Sequence, residues 1–405
     1  MSEDDDDLLR DAETWAQADA LLSRSARLEE ALALKAHLDE EDRAAERLVA
    51  PLLTSPIRFR DANLAENPKA RHGGVVRCLC AAAHGLHEKR PQFSLLLAQT
   101  AYAIAVALEN DSRMPRRLCM ALALREGANA FRYLGKFKEA LKALEEAEKL
   151  FDETPGADAH DVAIVWFIRA TVLIELGQLD EARSLSRRAT EVFRHYGDRL
   201  RELGTLLVEA HSFYFAENND EAAPAYEAVA AKARTEGNRS ILACATNNIA
   251  NVYTNLEQYD KAEQFYIEAL VQFDELGLVT EKARVGWSLA LLLVRRGDLA
   301  KGAGRLDAAR GELQALGLLH DHGLATLDWA AVRLALNEHV GVAEACKGIL
   351  LRFESEGMMK NARLALAYVH EALARRTATP LLLQQVRTYL ERLPTRPNVA
   401  FVPVQ

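Results

Sequence analysis

The stretch "GANAFRYLGKFKEALKALEEAEKLF", residues 127–151, decides how this chain folds. Apolar and small residues recur at three- and four-residue steps on both sides of Gly135, the period of a helix and not of a strand. Phe131 and Phe137 bracket the glycine, and Ala128 answers Ala140 and Ala147 where two helices must approach closely. The segment therefore predicts a pair of antiparallel helices joined by a tight turn.

The same arrangement returns in "IRATVLIELGQLDEARSLSRRATEVF", residues 168–193, with Ala170, Ala182 and Ala189 at the small positions and Leu173 and Leu179 around Gly177. Farther on, Ala210 goes with Ala222, and Ala250 with Ala262 and Ala269. Tyr253 and Tyr259, then Leu293 and Leu299 about Gly297, bracket later turns. Glycines at 197, 237, 277, 317 and 357 recur at every fortieth position, each placed to end a second helix in the left-handed conformation. Asp198 and Asn238 follow as N-cap residues of the next helix.

This pattern resembles the tetratricopeptide repeat (TPR). It departs from the commonest form of the family in its longer period and in lacking the proline that often closes a repeat, and so is similar to the long repeats of bacterial regulatory TPR proteins and peptide-binding adaptors. The resemblance implies an all-α fold, an α-α superhelix with helical caps at both ends. The expected boundaries are an N-terminal helical cap at 1–71, the superhelix at 72–376, and a capping helix with an extended tail at 377–405. Within the superhelix, 72–109 is a weaker repeat with Ala82, Ser94, Ala98 and Ala101 at the small positions and Pro91 opening a helix. A loop is inserted at 153–160, and 319–357 fits only with a shift near Val340. The apolar tail "RPNVAFVPVQ", 396–405, is expected to dock on the last repeats through Val399, Phe401 and Val402.

Composition narrows the function. A net charge of −9 offers no basic footprint for phosphate backbones, so direct nucleic-acid binding is not expected. Asp4 to Asp7 read as a solvated acidic start. No apolar run of about 18 residues or secretory pattern occurs, which predicts a cytoplasmic protein without membrane contact. The five cysteines, 78, 80, 119, 244 and 346, are odd in number and sit mostly in apolar helical runs, as reduced and buried thiols do.

In the TPR family the first helices of the repeats line a concave groove. The resemblance carries that role to Arg125, Asn129 and Arg132, to His211 and Tyr214, to Asn247, Asn251 and Thr254, and to Trp287. Asparagines one helical turn apart, at 247, 251 and 255, could pair with the backbone of an extended peptide, since an amide both donates and accepts. Their alternative reading is a plain polar helix face. The implied protein is a non-enzymatic scaffold or regulatory subunit for a peptide or protein partner, with a homodimer as a further option. The second reading is a peptide sensor whose superhelix changes shape on binding. Arg169 and Glu209, at equivalent positions of successive repeats, are expected to pair with each other.

The best metal candidate is "RHGGVVRCLCAAAHGLH", residues 71–87, where Cys80, His84 and His87 share a helix face with His72 and Cys78 nearby. No Cys-x-x-Cys pair accompanies them and Cys78 falls on a packing position, so neither metal nor cofactor is expected. No phosphate loop, zinc-protease motif or serine elbow is present, and no base is nominated for a cysteine nucleophile. A zinc- or cysteine-dependent enzyme is the least favoured reading.

Overall fold

The alternation of helices of 17 or 18 residues with turns of two or three governs residues 159–335. Helices begin at 159, 179, 199, 219, 239, 259, 279, 299 and 319, at equal steps. The structure is a computed structural model that describes residues 32–108, 115–155, 157–355, 360–393 and 401–402. Asp4 to Asp7, Gly357 and Val399 lie outside the described residues. Among those described there is no strand.

The chain divides into two units, 1–165 and 166–405. The N-terminal unit contains α1 (32–49), α2 (Pro56–Asp61), α3 (Gly73–His84), α4 (Pro91–Val106), α5 (Arg116–Tyr133) and α6 (Phe137–Asp152). Helix α7 (Ala159–Glu175) carries the boundary. The C-terminal unit continues with α8 (Leu179–Tyr196), α9 (Arg199–Phe215), α10 (Asn219–Thr235), α11 (Arg239–Asn255), α12 (Tyr259–Glu275), α13 (Val279–Arg295), α14 (Leu299–Ala315), α15 (Leu319–Ala335), α16 (Val342–Ser355), α17 (Lys360–Ala374) and α18 (Pro380–Arg392). From α8 to α18 most helices pack on their successors, and α9, α11, α13 and α15 also touch in order, forming a row of first helices.

The paired alanines do what their spacing demands. Ala128, Ala140, Ala147, Ala170, Ala182, Ala189, Ala210, Ala222, Ala250, Ala262 and Ala269 are all fully buried. A methyl at the contact lets helix axes come close, and large side chains on either side fill the remaining space. Tyr226, Phe193 and Phe151 are among the largest fully enclosed side chains. In the N-terminal unit Val75, Val76, Leu79, Leu97 and Ile104 form one core with Ala45 and Val49 of α1. There α1 lies so close to α3 that a Cβ on Gly74 would stand 2.6 Å from the Glu41 carbonyl oxygen.

Turns repeat as regularly as helices. A left-handed residue occurs at Gly177, Gly197, Glu217, Gly237, Glu257, Gly277, Gly297, Gly317 and Asn337. The following amide closes each turn, as when the Asn238 N–H donates to the Ala233 carbonyl at 2.8 Å and the Gln258 N–H to the Tyr253 carbonyl at 2.9 Å. Glycine spacing in the sequence revealed only part of this series, because glutamate or asparagine stands at the other sites. Asp198 and Asn238 cap as expected, accepting from Arg201 and Ile241 at 3.1 and 3.0 Å. The turn before α16 is longer than its counterparts and holds Gly341 in the left-handed region, beside the exposed Val340.

Two sequence expectations change. Arg169 and Glu209 do not pair: Arg169 donates to Glu181 at 2.8 Å and Glu209 accepts from Arg187 at 2.6 Å. Each long side chain finds a nearer partner on the adjoining second helix. At the C-terminal end, Phe401 rests between Tyr368 and Tyr389, with ring centroids 6.0 and 5.3 Å away, while Val402 stays exposed. Of the two described tail residues, Phe401 makes the contact.

The turn geometry gives a paired expectation. Gly237→Ala forces a Cβ into the left-handed region with no other contact to blame, and should cost about 1 kcal/mol. Glu257→Gly, at the matching turn, should instead stabilise by roughly 0.5–1 kcal/mol. Chemical denaturation of the two variants beside the parent protein checks both signs.

Candidate functional site

The polar residues singled out from the sequence fall into three groups. In the N-terminal unit, Arg125 is nearly enclosed and its Nε donates to Glu126 Oε1 at 3.0 Å while a terminal nitrogen donates to Asp161 at 2.6 Å. Arg132 donates to Asn129 Oδ1 at 2.9 Å and its guanidinium lies 4.1 Å from the centre of the Tyr133 ring. All three side chains have partners inside the unit.

In the C-terminal unit the row of first helices carries two cavities that share Ser288. The larger, about 230 Å³, is lined by Leu207, His211, Cys244, Asn247, Asn248, Phe273, Glu281, Arg284, Val285 and Ser288. The smaller, about 100 Å³, lies among Tyr214, Asn251, Thr254, Asn255, Tyr266, Ser288, Leu291, Leu292 and Arg295. The structure therefore gathers His211, Tyr214, Asn247, Asn251 and Thr254 along one strip of α9, α11 and α13. A roomier recess of about 460 Å³ around Pro56, Arg60, Lys89, Arg90 and Phe93 belongs to the N-terminal unit and holds none of these residues.

Within the strip the asparagines differ. Asn251 accepts from the Tyr266 hydroxyl at 2.7 Å and Asn255 from Arg295 at 3.2 Å. Thr254 is buried and spends its hydroxyl on the Ala250 carbonyl at 2.8 Å. Asn247 stands out: its amide nitrogen faces Asn248 Oδ1 at 3.5 Å, and its own Oδ1 is buried with no hydrogen-bond partner. A buried carbonyl oxygen without a donor is costly, and native structures rarely keep one without a use for it.

Asn248, next along α11, donates to His211 Nε2 at 3.2 Å. That contact makes Nε2 an acceptor and places the proton of the neutral ring on Nδ1. Burial pushes the His211 imidazole down to about 4, so the ring is uncharged at neutral pH. Trp287 occupies a third place. Its Nε1 donates to Asp328 at 2.9 Å, Asp328 pairs with Arg387 of α18 at 3.0 Å, and the indole packs against the C-terminal core. Burial pushes the Asp328 carboxyl up to about 6, with Arg387 and Trp287 opposing the shift. Trp287 thus ties α13 to the end of the stack.

Cys80, Cys119 and Cys346 are buried packing groups, whereas Cys78 and Cys244, expected to be buried, are only half-buried and Cys244 borders the larger cavity. Burial raises the Cys346 thiol to about 12 and the Cys119 thiol to about 11, and Cys80 is shifted in the same direction. Such thiols hold almost no thiolate at neutral pH. The histidine cluster near residue 84 is assembled differently from the sequence expectation. Cys80 turns into the core, and the third member is Glu126 of α5, 3.3 Å from His84 Nδ1 and 2.9 Å from His87 Nε2. Burial alone would raise the Glu126 carboxyl, but its contacts with the two imidazoles and Arg125 hold it well below the usual carboxylate range.

Two sequence profiles described as tetratricopeptide repeat match the chain, at residues 119–194 and 245–270. Both stretches are tetratricopeptide repeats. No curated protein sequence matches this TPR chain. Solved structures share its fold at low identity. One is a signal transduction ATPase with numerous domains carrying a tetratricopeptide repeat sensor, from Pyrococcus horikoshii. It is 16% identical with a TM-score of 0.56 over 89% of this chain and 53% of the other, so the TPR chain spans about half the length of that relative. Aspartyl phosphate phosphatase F from Bacillus subtilis gives 12% identity and a TM-score of 0.54, covering 90% of this chain and 97% of that one. The Rap conjugation gene regulator of plasmid pLS20, solved with the Phr* peptide, gives 12% and 0.52, covering 88% and 99%.

The neutral state of His211 sets a pH expectation for the TPR stack. Because its folded value lies below the ordinary 6.5, the unfolded chain binds a proton that the folded ring refuses. Stability contributed at this site is intact above about pH 6.5 and falls as pH drops toward 4, by at most about 3 kcal/mol. His211→Gln keeps an acceptor for Asn248 and removes the titration. Its melting temperature should fall less than that of the parent protein between pH 7 and pH 5.

Proposed function

We propose that this TPR protein is a non-enzymatic scaffold or regulatory subunit that binds a peptide or protein segment along the strip of α9, α11 and α13. The observation that carries this reading is the Asn247 Oδ1 atom, a buried acceptor without a donor at the wall of a cavity of about 230 Å³. An extended peptide supplies backbone N–H donors at regular intervals, and one of them completes Asn247. The neighbouring apolar surface of Leu207, Phe273 and Val285 suits a side chain of that peptide, and Tyr214 offers an aromatic edge beside it. Asn251 and Thr254, already bonded internally, hold the floor of the strip in place.

Similarity in fold to a regulator solved with a peptide supports the choice of ligand class. The division expected from the sequence, with 72–376 as the solenoid and 1–71 and 377–405 as its ends, belongs to the same proposal. The net charge of −9 favours a protein partner over nucleic acid. No helix among the described residues is long and apolar enough to cross a membrane. A cytoplasmic regulatory protein of bacterial type, with or without self-association, fits these features. The sensor reading belongs to the same strip: a ligand that bridges α9, α11 and α13 would alter how neighbouring repeats lean on one another.

Replacing Asn247 removes a buried unpaired acceptor at the loss of one long 3.5 Å contact to Asn248, which separates binding from stability. Peptides selected from a random display library against the wild type should bind it in calorimetry and lose at least about tenfold, ~1.4 kcal/mol, with Asn247→Leu. The same variant should melt at or above the parent temperature. Equal affinity of both proteins for every selected peptide would place binding elsewhere.

A further inference from the structure

We infer that His84, His87 and Glu126 form a binding site for one divalent transition-metal ion of the zinc class. Local sequence supplies only part of it. His84 is the last residue of α3, His87 follows in the turn, and Glu126 comes from the middle of α5, so folding brings the third group in from 39 residues away. The three ligand atoms, His84 Nδ1, His87 Nε2 and Glu126 Oε2, all lie within 4.8 Å of one another. Their separations from the carboxylate oxygen are 3.3 and 2.9 Å. Ligands bound to one ion at about 2.0–2.1 Å stand about 2.9–3.4 Å apart in tetrahedral or octahedral geometry, a range that both imidazole–carboxylate separations fall in.

The surrounding hydrogen bonds aim these atoms. Ser94 Oγ donates to the Ala83 carbonyl at 2.9 Å and so has only lone pairs left for His87 Nδ1, 2.8 Å away. His87 therefore carries its proton on Nδ1 and turns the other nitrogen toward Glu126. A bare Nε2 lone pair and a carboxylate oxygen at 2.9 Å repel, so a positive centre, either a proton or a metal ion, stands between them. Arg125 occupies the other carboxylate oxygen, Oε1, at 3.0 Å, which leaves Oε2 directed at the imidazoles. Outer groups that fix the tautomer and orientation of ligands in this way accompany metal-binding histidines generally. Tyr133 stacks on His87 with centroids 6.2 Å apart and planes 9° from parallel, which fixes the ring plane.

Charge and access agree. Glu126, Asp161 and Arg125 together carry one net negative charge, so the site attracts a cation. Two nitrogen donors and one oxygen suit zinc and its neighbours over calcium or magnesium, which take oxygen. His87 and Glu126 are buried, but the His84 side chain is 62% exposed, so an ion enters from solvent and keeps a water in its open position. Cys80 and Cys78 contribute no ligand.

The test uses the full chain stripped with chelator and titrated with Co(II), followed by visible absorption, and with Zn(II), followed by calorimetry. One ion per chain is expected, without the intense near-ultraviolet band of thiolate bound to cobalt. His84→Gln, a change at the surface, should weaken uptake at least tenfold, Glu126→Gln should do the same, and the control His195→Gln should change nothing. Any of three results overturns the assignment: no uptake by the wild type at micromolar ion, equal uptake by His84→Gln and wild type, or a thiolate band. The first result leaves an imidazolium–carboxylate pair held by a proton, and the other two place the ion on other ligands.

Discussion

Close approach of helix pairs through alanine is the constraint on which the rest of the structure depends. Where Ala170 meets Ala182 and Ala189, or Ala250 meets Ala262 and Ala269, every methyl is fully buried. Any larger residue there would push two axes apart and disturb the neighbours stacked on both sides. A solenoid has no distant contacts to make up for such a loss, because each hairpin is supported only by those next to it. The large residues, Phe193, Tyr226 and Phe273 among them, fill the space that the alanines leave.

The second constraint is the turn. Equal spacing of the helix starts requires helices of 17 or 18 residues and, between them, two or three residues that reverse the chain, with one of these left-handed. This regularity places α9, α11 and α13 side by side at matching heights, which is why residues at equivalent positions of successive repeats border the same cavity. Leu207 with Asn247, and Asn248 with Ser288, are such pairs. Equivalent residues can still diverge. Trp287 matches Asn247 in register, yet it is drawn into the C-terminal core by Asp328 and Arg387, whereas Asn247 borders a cavity with its buried Oδ1 unpaired. Register does not impose chemistry, since each side chain bonds to whatever its two neighbours present.

Buried polar groups mark where this stack is more than packing. In the N-terminal unit Arg125, Glu126 and Asp161 form a chain of charge, met by His84 and His87 at one end. In the C-terminal unit Asn247, Asn248 and His211 form a neutral chain ending at a cavity. The first has charges that can hold an ion, the second an amide suited to a peptide backbone. Burial strengthens both, because water competes poorly at each.

The sequence by itself determined the helices, their pairing and their period, because alanine spacing, turn glycines and the caps at Asp198 and Asn238 are local signals read within one hairpin. It also determined which face of α11 is polar. Tertiary structure decided the rest. Glu217, Glu257 and Asn337 adopt the left-handed turn without a glycine to announce it, since the packed helices on either side impose it. Arg169 and Glu209 each took a partner on an adjacent helix, a choice that depends on side-chain reach rather than repeat spacing. Glu126 joined two histidines across 39 residues, and Cys80, which shares a helix with His84, turned into the core. Helical periodicity fixes which way a residue faces on its own helix; what it meets there depends on how neighbouring helices pack.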